Sequence, residues 1–130
     1  MPTRARNFIV YLGDTFARRI NLVPGPDSDL DGWDGEFIVF ADDDTAILSA
    51  TTANGRLTCN NGYIEIEVDA ADTETIETDG LSRSGTRFEP ANNDEIPYSA
   101  EGLIARYYLR VTSPAGVVTR LLDGDVVIVG

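Results

Sequence analysis

Tyr63-Ile64-Glu65-Ile66-Glu67-Val68, set directly after Asn60-Asn61-Gly62, is the stretch that decides the fold. Apolar and acidic side chains alternate with a period of two. Ile64, Ile66 and Val68 therefore share one face and Glu65 and Glu67 the other, the pattern of a half-buried strand. Asn-Gly supplies the positive φ of a tight turn. A second turn signal, Ala53-Asn54-Gly55, comes seven residues earlier, with Arg56-Leu57-Thr58-Cys59 as a short strand between. This spacing predicts a β-meander.

Outward from this stretch the same reading repeats. Asn7 to Leu12 and Ala17 to Val23 flank the turn Gly13-Asp14-Thr15, and Gly35 to Ala41 is answered by Thr45 to Ala50 across the acidic turn Asp42-Asp43-Asp44. Near the end, Ile104 to Thr112, Gly116 to Leu121 and Asp125 to Val129 read as three strands joined by turns at Ser113-Pro114-Ala115-Gly116 and Asp123-Gly124. Turn signals every eight to twelve residues between short strands point to a sandwich or barrel, of which the sandwich is the expectation. Asp69 to Glu77 reads as one helical turn, with Asp69 at its N-cap and Asp72 in the first turn. Thr78 to Glu101 has no period and is expected to be a long polar loop. Residues 1–130 thus form one domain: an all-β, antiparallel β-sandwich of immunoglobulin-like architecture. An N-terminal arm (1–7), the long loop (78–101) and one short helical turn decorate it. At this length a single core buries enough surface to stand without metal or disulfide.

Charge and composition narrow the function. The chain has 22 acidic and 10 basic residues, for a net charge of −12, and every basic residue is Arg. Nucleic acid is a poor partner for such a surface, since phosphate binding needs a basic stripe. Only Arg4, Arg6, Arg18 and Arg19 cluster locally. The longest apolar run, Val126 to Val129, is a strand's length, so no membrane span is expected. No export leader is visible either, because the run Phe8 to Leu12 is short. Synthesis in a host cytoplasm follows as the expectation.

Catalytic chemistry finds little support. There is no His and one Cys, Cys59, which excludes an internal disulfide and nearly excludes a zinc site, since only one thiolate ligand is present. Without an imidazole beside it, Cys59 reads as a small buried or half-buried hydrophobe. General-base catalysis near neutral pH would require a strongly perturbed carboxylate, and no pair stands out. Asp27-Ser28-Asp29-Leu30-Asp31-Gly32 matches the opening of a calcium loop, with a carboxylate at alternate positions and Gly at the sixth. Its twelfth position is Ile38 where a bidentate Glu is needed, and strand-type sequence follows. A looser Ca²⁺ site of Asp27, Asp29, Asp31 and Asp34 stays a candidate; no other cofactor is suggested. The run Asp42 to Asp44 reads as a solvated turn. Trp33 reads as a plug at the end of the core. Tyr107 and Tyr108 read as one ring in and one ring out, and exposed aromatics on one face would favour carbohydrate as a ligand.

The order of these motifs resembles a class of small bacteriophage virion domains, such as the N-terminal β-sandwich of phage baseplate upper proteins and related tail-associated sandwiches. The residues that carry the resemblance are Gly13-Asp14-Thr15-Phe16, Asp29-Leu30-Asp31-Gly32-Trp33, the strand Gly62 to Val68, Ala70-Ala71-Asp72-Thr73, Tyr107-Tyr108-Leu109, and Gly116 to Val126. Asp31 stands where the class has Thr, and 78–101 exceeds the usual connection. The resemblance implies a non-enzymatic virion protein. It would sit in the tail, baseplate or fibre region, or decorate the capsid, and would bind other virion proteins and further copies of itself. It also implies that Asp29 to Trp33 is a turn whose carboxylate caps backbone N–H groups. Arg4 and Arg6 in the arm, and Arg83, Arg87 and Phe88 in the loop, are the expected partner contacts.

Overall fold

A computed structural model describes residues 4–22, 24–25, 28–89 and 97–130. The strands are β1 (Arg4–Ala5), β2 (Phe8–Tyr11), β3 (Phe16–Asn21), β4 (Asp34–Phe40), β5 (Ala46–Thr51), β6 (Leu57–Cys59), β7 (Tyr63–Val68), β8 (Ser84–Glu89), β9 (Tyr98–Thr112) and β10 (Val118–Val129). One short helix, α1 (Ala70–Glu74), lies between β7 and β8. Met1–Thr3, Val23, Asp27 and 90–96, which fall in the expected arm, second strand, calcium loop and long loop, lie outside the described residues.

Two sheets form. The larger runs β1-β10-β9-β4-β5, with β2 following β1 along the same side of β10, and β8 beside β9 beyond the end of β4. The smaller is β3-β7-β6. β1 and β2 pair with β10 in parallel and the other pairings are antiparallel. The chain thus crosses between the sheets after β2, β3, β5 and β7, as a two-layered sandwich requires. The expected all-β sandwich is the fold, its alternation visible as buried Ile64, Ile66 and Val68 against exposed Glu65 and Glu67.

The core between the sheets is one cluster built around four rings. Phe8, Phe37 and Tyr107 rise from the large sheet and Phe16 from the small one, with centroids 5.0–6.0 Å apart. Each fully buried side chain of this size stabilises the fold by about 1.5–3 kcal/mol. Tyr107 also donates its hydroxyl to the Arg6 carbonyl at 2.6 Å, tying β9 to the N-terminal segment.

Four expectations need correction. The arm is not free: Arg4–Ala5 adds a strand beside Leu122 and Asp123, and Arg6 N–H donates to the Asp123 carbonyl. Asp123-Gly124 is not a hairpin turn but the middle of β10, which runs unbroken past a bulge between Arg120 and Leu122. Gly124 is there because the chain comes close: a Cβ would lie 2.2 Å from the Arg6 carbonyl oxygen. Asn54-Gly55 makes no meander turn, since β5 and β6 belong to different sheets and the turn carries the chain across. Finally, the segment 78–101 contains β8 and the start of β9, paired from Ser84↔Leu103 to Glu89↔Tyr98. Its polar face had hidden a strand whose apolar contacts are few.

The helical turn lies where expected, although Asp69 occupies the N-cap without a side-chain cap bond. Its anchor is Thr73, fully buried. The Thr73 hydroxyl accepts from Gly13 N–H at 3.1 Å and donates to the Asp14 carbonyl at 2.8 Å. Two motif elements far apart in sequence, Gly13-Asp14 and Ala70 to Thr73, therefore meet.

Replacing Thr73 with Val leaves those buried backbone groups unsatisfied and should cost about 1–3 kcal/mol in urea unfolding. Gly124→Ala should cost at least as much, because φ is +155° and the added methyl meets backbone; an unchanged midpoint would show that β1 and β10 separate freely.

Candidate functional site

The outer face of the large sheet is set by alternation. Gly35, Phe37 and Val39 of β4 and Tyr107, Leu109 and Val111 of β9 point inward. Glu36, Ile38 and Phe40, with Arg106, Tyr108 and Arg110, therefore point outward in register: Glu36↔Arg110, Ile38↔Tyr108 and Phe40↔Arg106. The bulge in β10 brings Arg120 and Asp123 onto the same face, opposite Arg110 and Tyr108.

These residues form an arginine–aromatic ladder. The Arg106 guanidinium lies 5.1 Å from the Phe40 ring centroid, and Arg110 and Arg120 lie 4.8 and 5.0 Å from that of Tyr108. Each arginine also has a carboxylate: Arg106 donates to Asp44 at 3.0 Å, Arg110 pairs with Glu36, and Arg120 lies 4.0 Å from Asp123. Exposed ion pairs of this kind add at most about 1 kcal/mol each, so the ladder is weak evidence of stabilisation. Its arginine and aromatic residues are of types enriched at protein interfaces, and its carboxylates of types depleted there.

β8 divides this face. Besides pairing with β9 it touches β2 and β10, and Ile9, Ile104 and Val127 form a second small core with Ala100 there. Two charge pairs hold the flap. Arg87 donates to Asp125 at 3.0 Å, and the Arg18 guanidinium meets Glu89, which is 4% exposed, with Nη2–Oε2 at 2.7 Å. Removing one member of such a buried pair typically costs about 3–5 kcal/mol.

The expected contact residues are dispersed. Arg4 belongs to β1, and Arg6 lies over the Phe8 ring at 5.0 Å, where burial lowers its pKa. Arg83 lies 3.5 Å from Asp42, and Arg87 is bound to Asp125. Phe88 is offered outward, 62% exposed. The local cluster of Arg18 and Arg19 also dissolves: Arg18 goes to Glu89, and Arg19 stacks 3.7 Å from the Tyr63 ring centroid.

The sequence meets no match among protein-family models or curated proteins.

Among the described residues, which leave out Asp27, the calcium reading finds no gathered site. Asp29 Oδ1 accepts the Asp31 N–H at 3.1 Å and Asp29 bridges to Asn61, closing a turn on which Trp33 packs against the core. Asp34 lies apart at the start of β4, where it accepts from the Thr52 hydroxyl. Among the described residues no three potential ligands converge on one point. A hollow lined by Glu67, Asp69 and Asp72 also contains Arg56, whose Nη2 is 2.9 Å from Asp72. The run at 42–44 is more engaged than a solvated turn: Asp42 binds Ser82, which lowers its pKa, Asp43 accepts from Thr45 N–H, and Asp44 reaches Arg106 from positive φ.

Sequence reading missed Glu36, Arg106, Tyr108, Arg110 and Arg120 as one surface. The signal was present in β9, where Arg106, Tyr108 and Arg110 occupy alternate positions.

Cys59 is half-buried against the core, and burial, with Asp34 nearby, pushes its thiol up to about 11. Alkylation near neutral pH should therefore be slow until urea unfolds the chain. Because the folded pKa is raised from 9.0, the associated stability is present below pH 9.0 and lost as pH rises through about 11. A Cys59→Ala variant should show a flatter alkaline profile in the same titration.

Proposed function

We propose that this chain is a non-enzymatic assembly module, an adaptor in the tail, baseplate or fibre region of a tailed-phage virion. The observation that carries the assembly reading is the ladder on the outer face of the large sheet. Tyrosine supplies large contact area with few rotors to freeze, arginine is enriched at interfaces, and ion pairs set register across a contact. The virion setting draws on the resemblance in the order of motifs along the chain. Its Gly13-Asp14 and Ala70 to Thr73 elements have a common structural purpose here, because the Thr73 hydroxyl joins them.

The face is less apt for sugar. Carbohydrate stacking needs open ring faces, and guanidinium groups lie over Phe40 and Tyr108. Partners in this reading are other virion proteins and further copies of the chain, held by surface complementarity.

Immunogold labelling of purified particles by negative-stain electron microscopy tests it. Gold at the tail end is the expected result, whereas gold over the head would reassign the module to capsid decoration. Unlabelled particles alongside abundant protein in the lysate would end the virion reading.

A further inference from the structure

We propose that the open outer face of the large sheet binds a second copy of this chain, face to face about a twofold axis. The proposal deepens the assembly reading and rests on it. Its basis is the distribution of charge. On this face Arg106, Arg110 and Arg120 meet Asp44, Glu36 and Asp123, so the ladder carries equal numbers of each sign. The net charge of −12 consequently belongs to the rest of the chain. Two copies approaching through acidic surface repel each other; through this face no net charge opposes them.

Neutrality here comes from alternating signs and not from a lack of charge. A twofold contact sets a patch against itself, so each guanidinium can meet a carboxylate of the other copy without either face changing sign. Ile38, Phe40 and Tyr108 lie between the pairs and are only half-buried, which leaves apolar surface for the contact to remove from water. The arginines already stack on rings within one chain, which limits the side-chain freedom lost on association. The start of β9, which pairs with β8, sets the limit of the contact, since Ala100 packs on Ile9, Ile104 and Val127 and the Arg87–Asp125 pair marks its border.

Sedimentation velocity on the full chain over a concentration series tests the proposal, with circular dichroism confirming that each variant folds. A reversible monomer–dimer equilibrium is expected. Arg110→Glu puts like charges at the contact and should weaken the dimer at least about tenfold, or about 1.4 kcal/mol. The double exchange E36R/R110E restores alternation and should recover it, while Glu65→Arg on the small sheet should leave it unchanged. Should R110E not fold, Arg120→Glu takes its place, since that side chain is half exposed. A full chain that stays monomeric at every concentration overturns the proposal, as does a dimer indifferent to the charge reversal. Either result leaves particle labelling free to stand, because labelling reports assembly with any neighbour.

Discussion

The packing of Phe8, Phe16, Phe37 and Tyr107 against one another is the constraint on which the rest of the molecule depends. Three of these rings stand on the large sheet and the fourth on the small one, so their contact sets the spacing and relative placement of the layers. It also decides what faces outward. Once Tyr107 is committed to the core, period two obliges Tyr108 to face solvent, and with it Arg106 and Arg110. The arginine–aromatic face is thus the reverse side of the core packing. The Tyr107 hydroxyl extends the constraint to the N-terminus through the Arg6 carbonyl, in a place so confined that β10 has glycine at position 124.

Most strands were legible because they lie at a boundary between core and water, where alternation is unavoidable. The errors share a physical origin: local turn chemistry says where a chain is able to bend, not whether it does. Asp123-Gly124 has the composition of a hairpin turn, yet its glycine answers a steric demand from β1 across the sheet. Asn54-Gly55 does turn, but whether the next strand hydrogen-bonds its predecessor or crosses to the other layer depends on which sheet has an open edge. β8 was illegible for another reason. Its sequence, Ser84-Gly85-Thr86-Arg87-Phe88-Glu89, buries only Glu89, and that carboxylate is satisfied by Arg18, 71 residues away.

The candidate surface was half legible. Arg106, Tyr108 and Arg110 at alternate positions announce a charged, aromatic strand face, and this much needs only the pleat. Their partners are a different matter: Asp44 lies 62 residues from Arg106 and Glu36 lies 74 from Arg110. Pairing across such distances is created by strand order, and one sequence does not contain that order. The acidic run at 42–44 shows the same limit. Read alone it is three repelling charges; in the fold each carboxylate has a distinct donor, from Ser82, Thr45 and Arg106.

That partition of partners bears on how an acidic sandwich can associate at all. A chain of −12 keeps itself apart from its copies over most approaches, which protects exposed strand edges such as β5 and β6 from indiscriminate pairing. The same repulsion would prevent ordered assembly unless one surface were exempt. Drawing Glu36, Asp44 and Asp123 to the arginines of one sheet face creates such an exemption, and the β8 flap restricts its extent. Strong repulsion elsewhere then contributes to specificity, because it penalises every other orientation while leaving this one untouched. On this view the acidic composition and the arginine ladder are two parts of one device, and neither is informative without the fold that separates them.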